Sequence, residues 1–194
     1  FTRVVLAIEE RAHELGYDLL LTHSLNQPER EEHAIRRLLS RRVDGLFISP
    51  VYRFEAEARI YQEILARKMP AVLLGPPAAF CKSFPGVEIE ELIASYNATQ
   101  HLLTLGHKRI AYLTGPPTAP WAHERFEGYR RALRETGLDV DDKLVFQAGG
   151  TIEDGTKAAL QMLNESCDAT AVQTVNDLVA IGCAETLLAQ GWKI

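Results

Sequence analysis

Arg125 stands in or near the first turn of a helix that follows a Pro-rich loop, Gly115-Pro116-Pro117, and Trp121 lies in the same stretch. A cation there faces the positive end of the helix dipole, which costs free energy unless something offsets it. A planar guanidinium presents fixed donors that can bind two neighbouring hydroxyls or a carbonyl at once. An indole beside it offers an apolar face on which a sugar or base can stack. The opposing reading is a surface arginine on an amphipathic helix, and the residues alone leave the two level.

Asn176-Asp177 is the second pair of interest. It follows the strand-like run ATAVQTV and opens the last helix, so an N-cap is a sufficient account of Asn176. A cap at a strand's carboxyl end also lies where open α/β sheets bind ligands, and its amide and carboxylate can accept hydrogen bonds from hydroxyls. Phe1, at an apparent loop-to-helix entry, is either a stacking residue or a hydrophobic staple.

Catalytic patterns do not emerge. There is no G-x-S-x-G elbow, H-E-x-x-H helix, Walker A loop or G-x-G-x-x-G turn. Gly149-Gly150 precedes a helix and could cradle an anion, but a plain β-to-α turn explains it better. His107, beside Lys108 and Arg109, reads as a polar turn. Glu88, Glu90 and Glu91 could form a carboxylate site, but the alternation of Val87 and Ile89 with them reads better as solvated acids at a strand edge. The three cysteines, Cys81, Cys167 and Cys183, are too far apart for a zinc pattern and odd in number, so free thiols in a reducing cytoplasm are expected. No enzyme activity, metal or cofactor is expected.

The elements that carry these residues alternate between helical and strand patterns. Apolar runs within YDLLLTHS, VDGLFISP, MPAVLLGPP, RIAYLTG, KLVFQAG and ATAVQTV lack polar alternation, as parallel strands covered on both faces do. A shorter run spans Gly86 to Ile89. Helices are expected with Val5, Ile8, Ala12 and Leu15 on one face, from Pro28 through Leu39, from Leu92 to Leu105, from Ile152 to Asn164 and from Asn176 to Gln190. Thr151 and Asp154 form a capping box for one of them. Gly16, Gly106, Gly137 and Gly191 punctuate the helix ends. Repeated βα units of this kind give one or two mostly parallel sheets. The chain begins on a helix and stops at Lys193-Ile194 where a strand is due, so it is expected to be part of a longer polypeptide.

A formal net charge of -5 argues against this segment gripping a nucleic-acid backbone. Its one basic cluster, Arg36, Arg37, Arg41 and Arg42, ends a helix that begins with Glu29, Glu31 and Glu32, a polarity that suits the helix dipole. No long apolar run or signal peptide is present, so no membrane association is expected.

Taken together, HLLTLGHKRIAYLTGP, ERFEGYRRAL with its following Gly-Leu, and VNDLVAIGCAETLLAQGW closely resemble the lac/galactose repressor (LacI/GalR) family of transcription regulators. AIEERAHELGYDLLLTHSLNQPERE and RRVDGLFISP fit the same pattern, so the resemblance spans essentially the whole chain. It implies an α/β, periplasmic-binding-protein-like (type I) fold of two parallel-sheet subdomains around a ligand cleft, residues 1–90 and 91–194, truncated at both ends. It implies an effector-sensing and dimerisation core that binds a small sugar-like molecule. DNA binding would belong to an N-terminal helix-turn-helix outside this segment, in a cytoplasmic homodimer. By the same resemblance Arg125 is the family's ligand-contacting arginine, Asn176 and Asp177 its Asn-Asp pair, Phe1 an aromatic contact, and Trp121 part of the loop that varies with ligand. Where most members carry Asp-Asn and then glycine, this chain has Glu90, Glu91 and Ala94, and Gly149-Gly150 lacks the aromatic that several members place there. An extracytoplasmic solute receptor shares the fold and is the alternative.

Overall fold

A computed structural model describes residues 2–194; Phe1 lies outside the described residues, and with it the expectation of an aromatic contact there. The chain divides into two compact units, one ending at Asp44 and the other Gly45–Ile194.

The first unit holds two helices, α1 (Thr2–Glu14) and α2 (Pro28–Ser40). Val5, Ile8 and Ala12 share one half-buried face of α1, whereas Leu15 is exposed. Pro28 opens α2, where its missing N–H costs nothing, and Ala34, Ile35 and Leu39 are its buried face. The run YDLLLTHS is not a strand. No ladder partner is present for it among the described residues, and Leu20 and Leu21 are exposed. Its apolar pattern specifies a chain suited to a sheet, but a strand exists only through its neighbours.

The second unit carries two three-stranded parallel sheets. β1 (Leu46–Ile48), β2 (Ala71–Leu74) and β3 (Gly86–Val87) lie in that order, with Leu46 opposite Ala71 and Leu73 opposite Gly86. Helix α3 (Arg59–Ala66) connects β1 to β2 and buries Ile60, Tyr61 and Ile64. The second sheet is built from β4 (Ile110–Thr114), β5 (Val145–Gln147) and β6 (Ala171–Thr174), in the order β5-β4-β6. Residues 110–113 of the central strand are all 1% exposed or less, which is why their sequence shows no alternation.

Four helices cover the second sheet: α4 (Glu91–Thr104), α5 (Pro120–Glu135), α6 (Ile152–Asn164) and α7 (Asp177–Ala189). Ile110 and Tyr112 pack with Tyr129 and Leu133 of α5, while Ala111 and Leu113 pack with Ala158, Ala159 and Met162 of α6 and Val179 and Cys183 of α7. Neighbouring residues of β4 thus feed opposite layers. Gly106 and Gly137 end α4 and α5 at φ of 93° and 75°, a left-handed turn that glycine takes without a Cβ clash. Among the described residues, no helix is long and apolar enough to cross a membrane.

Candidate functional site

The strand order β5-β4-β6 reverses direction at β4, so the carboxyl ends of β4 and β6 form a topological switch point, the usual ligand crevice of an open α/β sheet. Gly115 follows β4 there and Val175 follows β6. A Cβ on Gly115 would stand 2.7 Å from Ala122 Cβ, 2.9 Å from Val175 Cγ2 and 3.3 Å from the Trp121 ring. Glycine at this position lets the first turn of α5 close onto the ends of both strands.

Arg125 is the sixth residue of α5, one turn further in than the sequence suggested, because Pro120 and not a later residue opens the helix. The dipole penalty fades beyond the first turn, so specific partners decide its placement. Nε donates to Glu91 Oε2 at 2.6 Å, and Nη1 donates to the Val175 carbonyl in a short hydrogen bond. The guanidinium carbon stands 5.1 Å from the centre of the Trp121 ring. Three different elements therefore fix one side chain, which keeps 26% of its surface exposed. Nη2 has no hydrogen bond among the described residues and remains free to donate.

The motif Arg125-x-x-Gly128-Tyr129 divides its labour. A Cβ on Gly128 would meet the Leu92 carbonyl oxygen at 2.3 Å and the Tyr96 nitrogen at 2.8 Å, so only glycine lets α4 and α5 come this close. That approach carries Glu91, at the start of α4, to Arg125. Tyr129 anchors the helix from below by donating to the Ile110 carbonyl at 2.9 Å. Burial pushes its hydroxyl, and that of Tyr112, up to about 12. The Tyr112 hydroxyl is buried with no hydrogen-bond partner among the described residues.

Asn176 caps α7: its Oδ1 accepts from the Val179 N–H at 2.9 Å, and its Nδ2 donates to the Gly150 carbonyl at 3.3 Å. The cap and the crevice position thus coincide, since the residue before it is the one Arg125 grips. Asp177 is exposed at the first position of α7 and makes no bond to Arg125. At Gly149-Gly150 the plain turn holds, because the chain's own Asp154 carboxylate accepts from Gly150 N, Thr151 N and Thr151 Oγ1. Burial opposes that charge, but the hydrogen bonds from Thr151 and Gly150 outweigh it and hold the carboxyl below its usual value.

Glu91 is the residue that sequence reasoning missed. It is 6% exposed and ion-paired, a correction to its reading as a solvated acid; Glu88 and Glu90 are exposed as expected. Its signal was faint: a carboxylate at the first position of a helix, 34 residues from its partner. Glu124, on α5, is half-buried. Burial, then the charges of Glu88 and Glu91, raise its carboxyl above the usual range. Tyr52, after β1, donates to the Pro76 carbonyl at 2.9 Å and packs, as Trp121 does, against the core of the second sheet. Burial and then the nearby charges of Cys81, Glu88, Glu91 and Glu124 raise its hydroxyl. No group of three His, Cys, Asp or Glu among the described residues is arranged to hold a metal ion. The arrangement offers a rigid donor, an aromatic face and flanking acceptors, which suits recognition of a polar molecule.

The family model described as periplasmic binding proteins and sugar binding domain of LacI family matches residues 1–194. The HTH-type transcriptional repressor CytR of Escherichia coli strain K12 is 30% identical over 194 residues, covering all of this chain and 56% of that protein. The chain thus spans little more than half the length of that relative. Among solved structures, the transcription regulator CcpA of Lactococcus lactis superposes with a TM-score of 0.88 at 29% identity, over 100% of this chain and 69% of that one. A complex of the transcriptional regulator CelR with cellobiose superposes with a TM-score of 0.86 at 27% identity, over 98% and 57% of the two chains.

Proposed function

Because the chain belongs to the family of periplasmic binding proteins and LacI-type sugar-binding domains, we propose that it is the effector-sensing core of a transcriptional regulator. The effector is a small, hydroxyl-bearing molecule of the sugar class, held at the switch point of the second sheet. Arg125 donates to its hydroxyls or carbonyl, Trp121 supplies a stacking face, and Asn176 and Asp177 complete the polar edge. In this reading the first subdomain runs to about Glu90 and the second begins at residue 91, while the expected aromatic contact of Phe1 lies outside the described residues. The cellobiose complex of CelR and the regulators related along the whole chain favour this over a solute receptor for a transporter.

Such a site acts by differential affinity. An effector that binds one arrangement of the subdomains better than another shifts the balance between them, and thereby the affinity of a linked DNA-binding domain. In this reading the regulator is a cytoplasmic homodimer that contacts operator DNA through a helix-turn-helix outside these 194 residues.

The observation that carries the reading is the fixed guanidinium of Arg125, held by Glu91, Val175 and Trp121 with one donor edge left open. Calorimetry across a panel of sugars and nucleosides tests it. Arg125→Ala is expected to weaken the best ligand about 100-fold, the loss of a charged hydrogen-bonding group. Unchanged affinity contradicts the role assigned to Arg125.

A further inference from the structure

We propose that Glu91 tunes this site to uncharged ligands and bars phosphorylated ones. The inference rests on the effector site lying at Arg125, and it adds the electrical character of the ligand. A lone arginine in a crevice attracts phosphate, for which its fork of donors is well matched. Here that fork is already engaged by a carboxylate at 2.6 Å, itself 8% exposed on its side chain. The pair is neutral before any ligand arrives. What remains for the ligand is the Nη2 edge, a donor suited to hydroxyl or carbonyl oxygen with little net charge behind it.

The surroundings tip further towards the negative. Glu88 and Glu91 both stand within electrostatic reach of Glu124, and the three together bear on Tyr52. The nearby hydroxyls of half-buried Tyr52 and buried Tyr112 stay neutral, and a phenol supplies no positive charge in either protonation state. A phosphate brings close to two negative charges and would meet the Glu91 carboxylate, with Arg125 already paired to it.

Glu91 is a positioning and selecting residue, and the test separates those roles from a merely structural one. The intact protein is titrated calorimetrically with matched pairs: ribose and ribose 5-phosphate, glucose and glucose 6-phosphate, adenosine and its 5′-monophosphate. The uncharged member of the binding pair is expected to bind about 100-fold more tightly than its phosphorylated counterpart, since like charges brought together cost several kcal/mol. Glu91→Gln keeps an oxygen acceptor for Arg125 Nε but removes the charge. It should narrow that ratio about tenfold, chiefly by improving the phosphorylated ligand. Glu124→Gln leaves the ion pair intact and should narrow it about threefold, which preserves the test if Glu91→Gln fails to fold.

A phosphorylated ligand that binds the unaltered protein as well as its uncharged counterpart overturns the proposal. So does a ratio unmoved by both substitutions. If uncharged binding depends on Arg125 while selectivity ignores Glu91, the selectivity claim falls and the site stands. If Arg125→Ala leaves every affinity unchanged, or no pair binds at all, the site itself falls and the selectivity claim with it.

Discussion

Gly128 shows how one absent methyl group determines the site above it. With the Leu92 carbonyl oxygen only 2.3 Å from where its Cβ would be, any larger residue must push backbone against backbone. Gly128→Ala is therefore expected to cost about 1–3 kcal/mol of stability, the range for overpacking a tight contact. Urea denaturation measures that loss. The same displacement should carry Glu91 away from Arg125, so ligand affinity falls together with stability; a variant of unaltered stability contradicts the packing account. At this scale the motif was visible from the start but its meaning was not. The sequence around Arg125 predicts a dipole conflict that the helix start at Pro120 removes, and its partners come from α4 and the end of β6. Neither lies within a helical turn in sequence, so no local rule reaches them.

At the scale of elements, α6 carries the clearest test. Its capping box, Thr151 with Asp154, follows from spacing alone and is present, with Asp154 N donating to Thr151 Oγ1 at 3.2 Å. Because hydrogen bonds hold the Asp154 carboxyl below its unfolded value, its stabilising effect is full above the unfolded pKa and is lost as pH falls through the folded one. Melting temperatures from neutral pH into the acid range should show the unaltered protein losing this advantage over Asp154→Asn as Asp154 protonates. A difference that stays constant with pH contradicts that account. Capping boxes and glycine stops act over three or four residues, and this is why α6 and the ends of α4 and α5 were legible. Residues 17–24 depart from their strand-like pattern for the opposite reason. Their apolar run states what a strand would look like, but pairing is not a property of one segment. Glu91 falls between these cases, since its helix was expected and its burial depends on α5 arriving at Gly128.

Across the whole molecule, repeated βα units predict one or two mostly parallel sheets and two are present, and the strand order of the second sheet places a switch point beside Trp121, Arg125 and Asn176. Residues far apart in sequence converge there because strands end where loops begin. The reading of this convergence as an effector site makes a direct structural demand. A crystal structure of the protein with its tightest-binding sugar or nucleoside should show a ligand oxygen within hydrogen-bonding distance of the Arg125 guanidinium and a ligand face against the Trp121 ring. A ligand bound with neither residue in reach contradicts the account.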